Sequence, residues 1–239
     1  MKTSKHPGKR WRIRRCRGFT LIELLTVISI IGVLAAIGVG MSGVASRRSK
    51  ETQVKAQLNN LITAIESYKT DFNQYPPDNH VGQVNRDPAL NPLFYELVGT
   101  VSRNQGREYS TPDRSETLTS DQIRAAFNLR GFVNSVEAPE KPKNYLPNLK
   151  ASHWKEVSIE GANDVELLVA PVEWPAALAR QHPLAGKLVD APGRPVRTQL
   201  RLNPWRYVST RPTNNPATFD LWAEVHIGKD RRIIGNWKD

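Results

Sequence analysis

Glu23 is a lone carboxylate inside the one long apolar run of a 239-residue chain, Phe19 to about Met41. A charged acid at the centre of a membrane helix costs about 2.5–3.5 kcal/mol on insertion scales. Glu23 is not at the centre. It lies four residues after Phe19, about 6 Å along a helix, where it can reach an interface and the positive end of the helix dipole. Two readings stand. Glu23 is a tolerated interfacial acid, or it is reserved for a cation that arrives from elsewhere.

The rest of the chain offers little other chemistry. His6, His80, His153, His182 and His226 show no paired ligand spacing, which argues against zinc. No G-x-S-x-G, phosphate loop or H-E-x-x-H occurs. Asp113, Glu116, Asp164 and Glu166 read as solvated acids. Trp154, Trp174, Trp205, Trp222 and Trp237 could stack on sugars, but core positions are the commoner use. Cys16 is the sole cysteine, so the chain beyond it uses no disulfide.

The elements that position Glu23 follow from hydropathy and charge. Phe19 to about Met41 has the length that spans a bilayer. Residues 1–18 carry eight bases and no acid; without them 26 bases face 23 acids, so most of the formal +11 is an N-terminal tail. A basic tail before an apolar span marks the cytoplasmic side, and the weakly basic remainder predicts no nucleic-acid partner. The roughly two hundred residues that follow suit one hydrophobic core. Conventional signal cleavage within "VLAAIGVG" and a plain signal anchor are both open on these grounds.

"RGFTLIELLTVISIIGVLAAI" resembles the N-terminus of type IV pilins and, most closely, of type II secretion major pseudopilins. The resemblance implies cleavage between Gly18 and Phe19 by a prepilin peptidase and N-methylation of Phe19. It identifies Glu23 with the family's glutamate, which pairs with the Phe19 amine of a neighbouring subunit during assembly. The implied partners are the prepilin peptidase, identical and related pseudopilins in a filament, and an inner-membrane assembly platform. Gly32, Gly38, Gly40 and Gly43, with Ala35 and Ala36, offer small surfaces for helix packing. Many relatives carry proline where this chain has Gly40.

Val54, Leu58, Leu61, Ile62, Ile65, Tyr68 and Phe72 form one helical stripe, ended by Pro76 and Pro77. This predicts one helix from about 20 to 73. "Y-x-x-D-x-x-x-Y-P", here Tyr68, Asp71, Tyr75 and Pro76, also resembles major pseudopilins and reads as structural. Within 75–163 the clearest helix is "LTSDQIRAAFNLRGFVNS", with a Thr119–Gln122 capping box and a Leu118–Ile123 staple. "DVELLVAPVEW", "RTQLRL", "WRYVST", "FDLWAEVHI" and "RRIIGNW" predict strands, the last two joined by a tight turn.

The expected fold is α+β and pilin-like, a long N-terminal transmembrane and amphipathic helix on a small C-terminal antiparallel sheet. Its parts are a basic leader (1–18), a transmembrane helix (19–42), the periplasmic half of the helix (43–74), a variable region (75–163) and a sheet region (164–239). "NPWRYVS" and the final "IGNW" add to the pseudopilin resemblance. Such proteins bind calcium near this point, and Glu224 and Asp230 are the available acids, but Lys229, Arg231 and Arg232 crowd them. No other cofactor is expected. The sequence predicts a structural subunit, not an enzyme. A type IV pilus subunit, a membrane-tethered glycan-binding module and a tethered enzyme are the alternatives.

Overall fold

The computed structural model describes residues 19–82, 84–85, 87–112, 117–227 and 230–237. The chain divides after Ser46 into two compact units. The expected long helix is present as α1, Leu21–Phe72. Asn73, in the left-handed region at φ 55°, supplies the stop three residues before the expected prolines, since its short polar side chain tolerates that conformation.

In the first unit the large apolar side chains from Leu21 to Leu34 are all exposed, Val27 least at 46%. The polar ones turn inward on their own helix. Thr26 Oγ1 donates to the carbonyls of Ile22 and Glu23 (both 2.9 Å), and Ser29 Oγ to that of Leu25 (2.8 Å). Hydroxyls satisfied this way add no unmet polar group to an apolar surface. Among the described residues no helix is long and apolar enough to cross a membrane. The described side chains of the run, Leu21 to Ala35, amount to about 22 Å of helix against an apolar core of about 30 Å. The basic leader lies outside the described residues, and at Ala36, Gly38, Gly40 and Gly43 only the helical backbone is described.

The second unit is built on the other half of α1. Val54, Leu58, Leu61, Ile65 and Tyr68 are buried, with Ile62 and Phe72 packed at the margin, as their spacing requires. After α1 come a minimal hairpin, β1 (His80–Val81) and β2 (Val84–Asn85), and a short helix, α2 (Leu93–Val98). Every residue of α2 is buried, so its "LFYELV" shows no amphipathic period. Gly99 ends it at φ 85°; a Cβ there would lie 2.7 Å from Pro142 Cβ.

The region expected to be a variable loop holds a sheet of its own. β3 (Thr100–Arg103), β4 (Glu108–Ser110), β5 (Leu118–Thr119) and β6 (Ser135–Glu137) order as β5-β4-β3-β6, with β3 and β6 parallel. Helix α3 (Ser120–Phe127) starts at the expected Thr119–Gln122 capping box, and Leu118 and Ile123 are both buried. β7 (Trp154–Ile159) and β8 (Asn163–Leu168) form an antiparallel hairpin.

"RTQLRL" is not a strand. Its first three residues belong to the helical turn α4, Val196–Gln199. Asp190 accepts the Val196 N–H (2.6 Å), and the buried Gln199 amide bonds to Val189, Arg194 and Ser158. Those side-chain bonds replace the ladder a strand would have used.

Three of the five strands expected in the C-terminal region form its sheet: β9 (Arg206–Val208), β10 (Asp220–Ile227) and β11 (Asp230–Gly235), antiparallel in the order β11-β10-β9, whereas "DVELL" lies in β8 and pairs with β7. Leu221, Ala223 and Val225 alternate into the core. On that same face Arg232, opposite Val225, reaches Glu51 of α1 at 3.1 Å. The architecture is α+β, but the small C-terminal sheet is one of four among the described residues.

Glu96 ties these layers together. It is fully buried, and its carboxylate accepts from Tyr68 Oη of α1 and from the backbone N–H groups of Val133 and Asn134, each at 2.9 Å. Burial pushes its pKa up against the pull of those three donors. A carboxyl that holds its proton more tightly when folded makes stability fall as pH rises above its free value of 4.5. Glu96→Gln is expected to remove that pH dependence. It is also expected to lower stability at neutral pH by about 1–3 kcal/mol, because an amide has one acceptor oxygen for three donors. Urea unfolding at a series of pH values measures both effects.

Candidate functional site

Thr20 is the residue before the first turn of α1, and Glu23 is the third residue of that turn. Thr20 N–H (2.8 Å) and Thr20 Oγ1 (2.7 Å) both donate to Glu23 Oε2, and Glu23 N–H donates to Thr20 Oγ1 (3.3 Å). This is a capping box, in which each residue satisfies an N–H that the helix leaves open. The expected interfacial acid therefore has a definite task within its own chain. That task uses one carboxylate oxygen. Oε1 has no hydrogen bond among the described residues. Phe19 beside it is 80% exposed, while Gly18 lies outside the described residues. The structure brings Phe19 and Glu23 to one helix end with an apolar surface behind them.

The other motif residues stabilise the second unit. Tyr68 reaches Glu96. Asp71 accepts from Lys143 and Tyr145, and these bonds hold its pKa below the usual carboxylate range. Tyr75 packs edge-on to Phe219, and the Pro76 carbonyl accepts from Tyr207 Oη and Ser209 Oγ. Near the C-terminus, Asp220 accepts the N–H groups of Thr213, Asn214 and Asn215 at 2.9 Å each. Asn236 bridges Leu221 and Phe219, and Trp237 packs against Trp222.

Of the two calcium candidates, Glu224 is engaged by cations of its own chain. Glu224 Oε1 and Oε2 accept from Arg231 Nε (2.7 Å) and Nη2 (2.9 Å), and His226 Nε2 lies 2.9 Å from Oε1. Burial alone would raise the Glu224 pKa, but Arg231 and Arg206 outweigh it and hold the carboxyl below its ordinary range. Asp230 is exposed, opposite Ile227 in the ladder, and Lys229 lies outside the described residues. No cluster of three potential ligands occurs among the described residues.

Two acids expected to be solvated have partners within the chain. Glu166 is buried, accepts from Tyr95 Oη and donates its N–H to the same oxygen (2.9 Å). Asp164 meets Arg194 and Ser158. Asp113 and Glu116 lie outside the described residues. Trp174 and Trp205 are core residues. His182 is buried, which lowers its pKa, and it bonds to Leu202 O. A groove of about 830 Å³ runs between α1 and residues 145–153, past Gln57, Asn60, Ser67 and His153. No carboxylate or cysteine is among its described lining residues, so it carries no acid–base pair. No local pattern marks Glu96 or Glu166 as buried acids, because their partners lie far along the chain.

A model of the prokaryotic N-terminal methylation motif matches residues 13–39. The chain is 44% identical over 63 residues to a type IV wide pilus major component of Thermus thermophilus, covering 26% of this chain and 48% of that protein. It is 44% identical over 61 residues to a type IV major pilin of Myxococcus xanthus, 26% of this chain and 28% of that one. It is 38% identical over 91 residues to type II secretion system core protein G of Escherichia coli, 36% of this chain and 62% of that one. In each case the match spans less than two thirds of the relative. No solved structure matches. The motif and these relatives support a type IV pilin-like chain, and the relatives are structural subunits, not enzymes.

Thr20→Val keeps the bulk at the helix start and removes the hydroxyl. It is expected to weaken the first turn by about 1 kcal/mol. Faster amide exchange at Leu21 to Glu23 in micelles, with the second unit unchanged, is the readout.

Proposed function

We propose that this type IV pilin-like chain is a non-enzymatic subunit of a type II secretion pseudopilus. It begins as a single-pass inner-membrane precursor with its N-terminus in the cytoplasm and its second unit in the periplasm. Prepilin peptidase cuts between Gly18 and Phe19 and methylates the new terminus. The apolar helix then leaves the bilayer for the core of a filament of identical and related pseudopilins, built on an inner-membrane platform.

One observation carries this reading: a helix that exposes every described large apolar side chain from Leu21 to Leu34, headed by one acid with an oxygen to spare. Exposed apolar area of this extent needs lipid or partner helices around it. Cleavage removes the eight bases of the leader and uncovers a cationic amine. In a staggered filament that amine can approach Glu23 Oε1 of the next protomer. There the low dielectric strengthens the pair, and an unpaired carboxylate is disfavoured. The capping box supports the pairing because it leaves this oxygen free while fixing the carboxylate at the helix start. The 38% identity to a type II secretion core protein over 91 residues, a longer match than the pilins give, favours the secretion system. A type IV pilus subunit is the second reading, favoured by the higher identity of the pilin matches; surface fibres containing this chain would establish it.

N-terminal mass spectrometry of the membrane-extracted protein is expected to find a chain that starts at methylated Phe19. A working form that retains Met1 would overturn the proposal. Glu23→Val is expected to insert and be cleaved but to enter filaments poorly, with crosslinked oligomers reduced at least tenfold. Normal assembly of that variant would remove the pairing role and leave the processing intact.

A further inference from the structure

Glu224 has little access to solvent, its side chain 13% exposed, and a carboxylate in that position requires compensating charge. Three cationic or proton-bearing groups converge on it. Arg231 grips both oxygens with a two-pronged guanidinium contact, His226 approaches the first oxygen, and Arg206 Nη2 stands 3.9 Å behind the second. Trp174 closes the inner side, with the Arg206 guanidinium 5.6 Å over its ring and His226 edge-on at 4.9 Å.

The ladder explains why these groups meet. Glu224 and His226 lie two residues apart on β10, so they share a face. Arg231 stands opposite His226 on β11, and its diagonal neighbour across the pair is Glu224, within reach of a long side chain.

A hard divalent cation needs six to eight oxygen ligands, and most carboxylate oxygens among the described residues of this hairpin are already taken. Both Glu224 oxygens are taken by Arg231. Both Asp220 oxygens hold the 213–215 backbone. Asp230 alone remains, exposed at the strand start. A metal cation would also enter a cluster that already carries two guanidinium groups against one carboxylate.

We infer that Arg231 acts as a built-in cation that closes the β10–β11 hairpin, in the place where related proteins are expected to hold calcium, and that this chain folds independently of calcium. The bidentate fork fixes direction as well as charge, which a lysine ammonium does not. Closing the hairpin has a further consequence: Arg232, next in sequence, holds Glu51 of α1 at 3.1 Å. The register set by Arg231 therefore also sets the contact between the last strand and the long helix. This inference does not depend on filament type or on processing.

The test is thermal unfolding of the full-length chain in detergent, with hydrogen exchange read separately over residues 220–235. The midpoint of the unaltered chain is expected to stay the same in chelator and in millimolar calcium. Arg231→Gln is expected to lower it by about 2–4 °C, with faster exchange confined to β10 and β11 and no recovery on adding calcium. Arg231→Lys is expected to restore only part of the loss. A fall in the unaltered chain on chelation, reversed by calcium, would overturn the inference. So would an Arg231→Gln chain with unchanged midpoint and unchanged exchange.

Discussion

One helix must bury two different surfaces, and the rest of the structure answers to that constraint. The stripe from Val54 to Tyr68 is covered by the chain's own sheets and by α2. The large apolar side chains from Leu21 to Leu34 are exposed. Burial of a large apolar side chain is worth about 1.5–3 kcal/mol, so a helix with this many exposed ones does not persist in water alone. The polar atoms within it point the same way. Thr26 and Ser29 bond back to their own helix, and Thr20 and Glu23 cap its start. Among the polar side-chain atoms described from Thr20 to Leu34, only Glu23 Oε1 has no partner.

What could be read from the sequence follows from how each element is stabilised. α1 was legible because its stripe repeats at helical spacing over many turns, and β10 and β11 because alternation and a turn bracket them. The capping box at Thr119 was legible because it is local. α2 was not, since a helix buried on every side has no period to read. The strands between Thr100 and Glu137 are two to four residues long, too short to show alternation. "RTQLRL" alternates like a strand, yet Gln199 spends its amide on three backbone groups and Asp190 starts a turn. Of the N-terminal site, the residues and their spacing were visible. The Thr20–Glu23 reciprocity is local too, with the T-x-x-E spacing of a capping box.

The buried acids show a second level that sequence does not reveal. Glu96 and Glu166 sit in contexts that look like ordinary helix and strand positions. Their satisfaction depends on Tyr68, Asn134 and Tyr95, between 28 and 71 residues away. A carboxylate is placed in a core only when such donors are assembled by the fold, so the fold has to be known before the acid can be assigned.

The carboxylates of this chain divide by how completely their own chain satisfies them. Glu96 accepts three hydrogen bonds across both oxygens. Asp220 takes a row of backbone N–H groups, Asp78 those of Ser209 and Thr210, and Glu224 a whole guanidinium. Each of these is closed, and each holds one part of the second unit to another. Glu23 differs. Its helix supplies donors to Oε2 and none, among the described residues, to Oε1. In water that would be unremarkable, because solvent completes the shell. Within an apolar helix surface, solvent is what assembly takes away. An oxygen left open there is stable only if a donor arrives with the partner that removes the water, and a newly uncovered terminal amine has the charge and the compact size for it. The difference between a closed acid and an open one, read in its surroundings, is the physical reason to look for the assembly contact at Glu23 and not elsewhere on the chain.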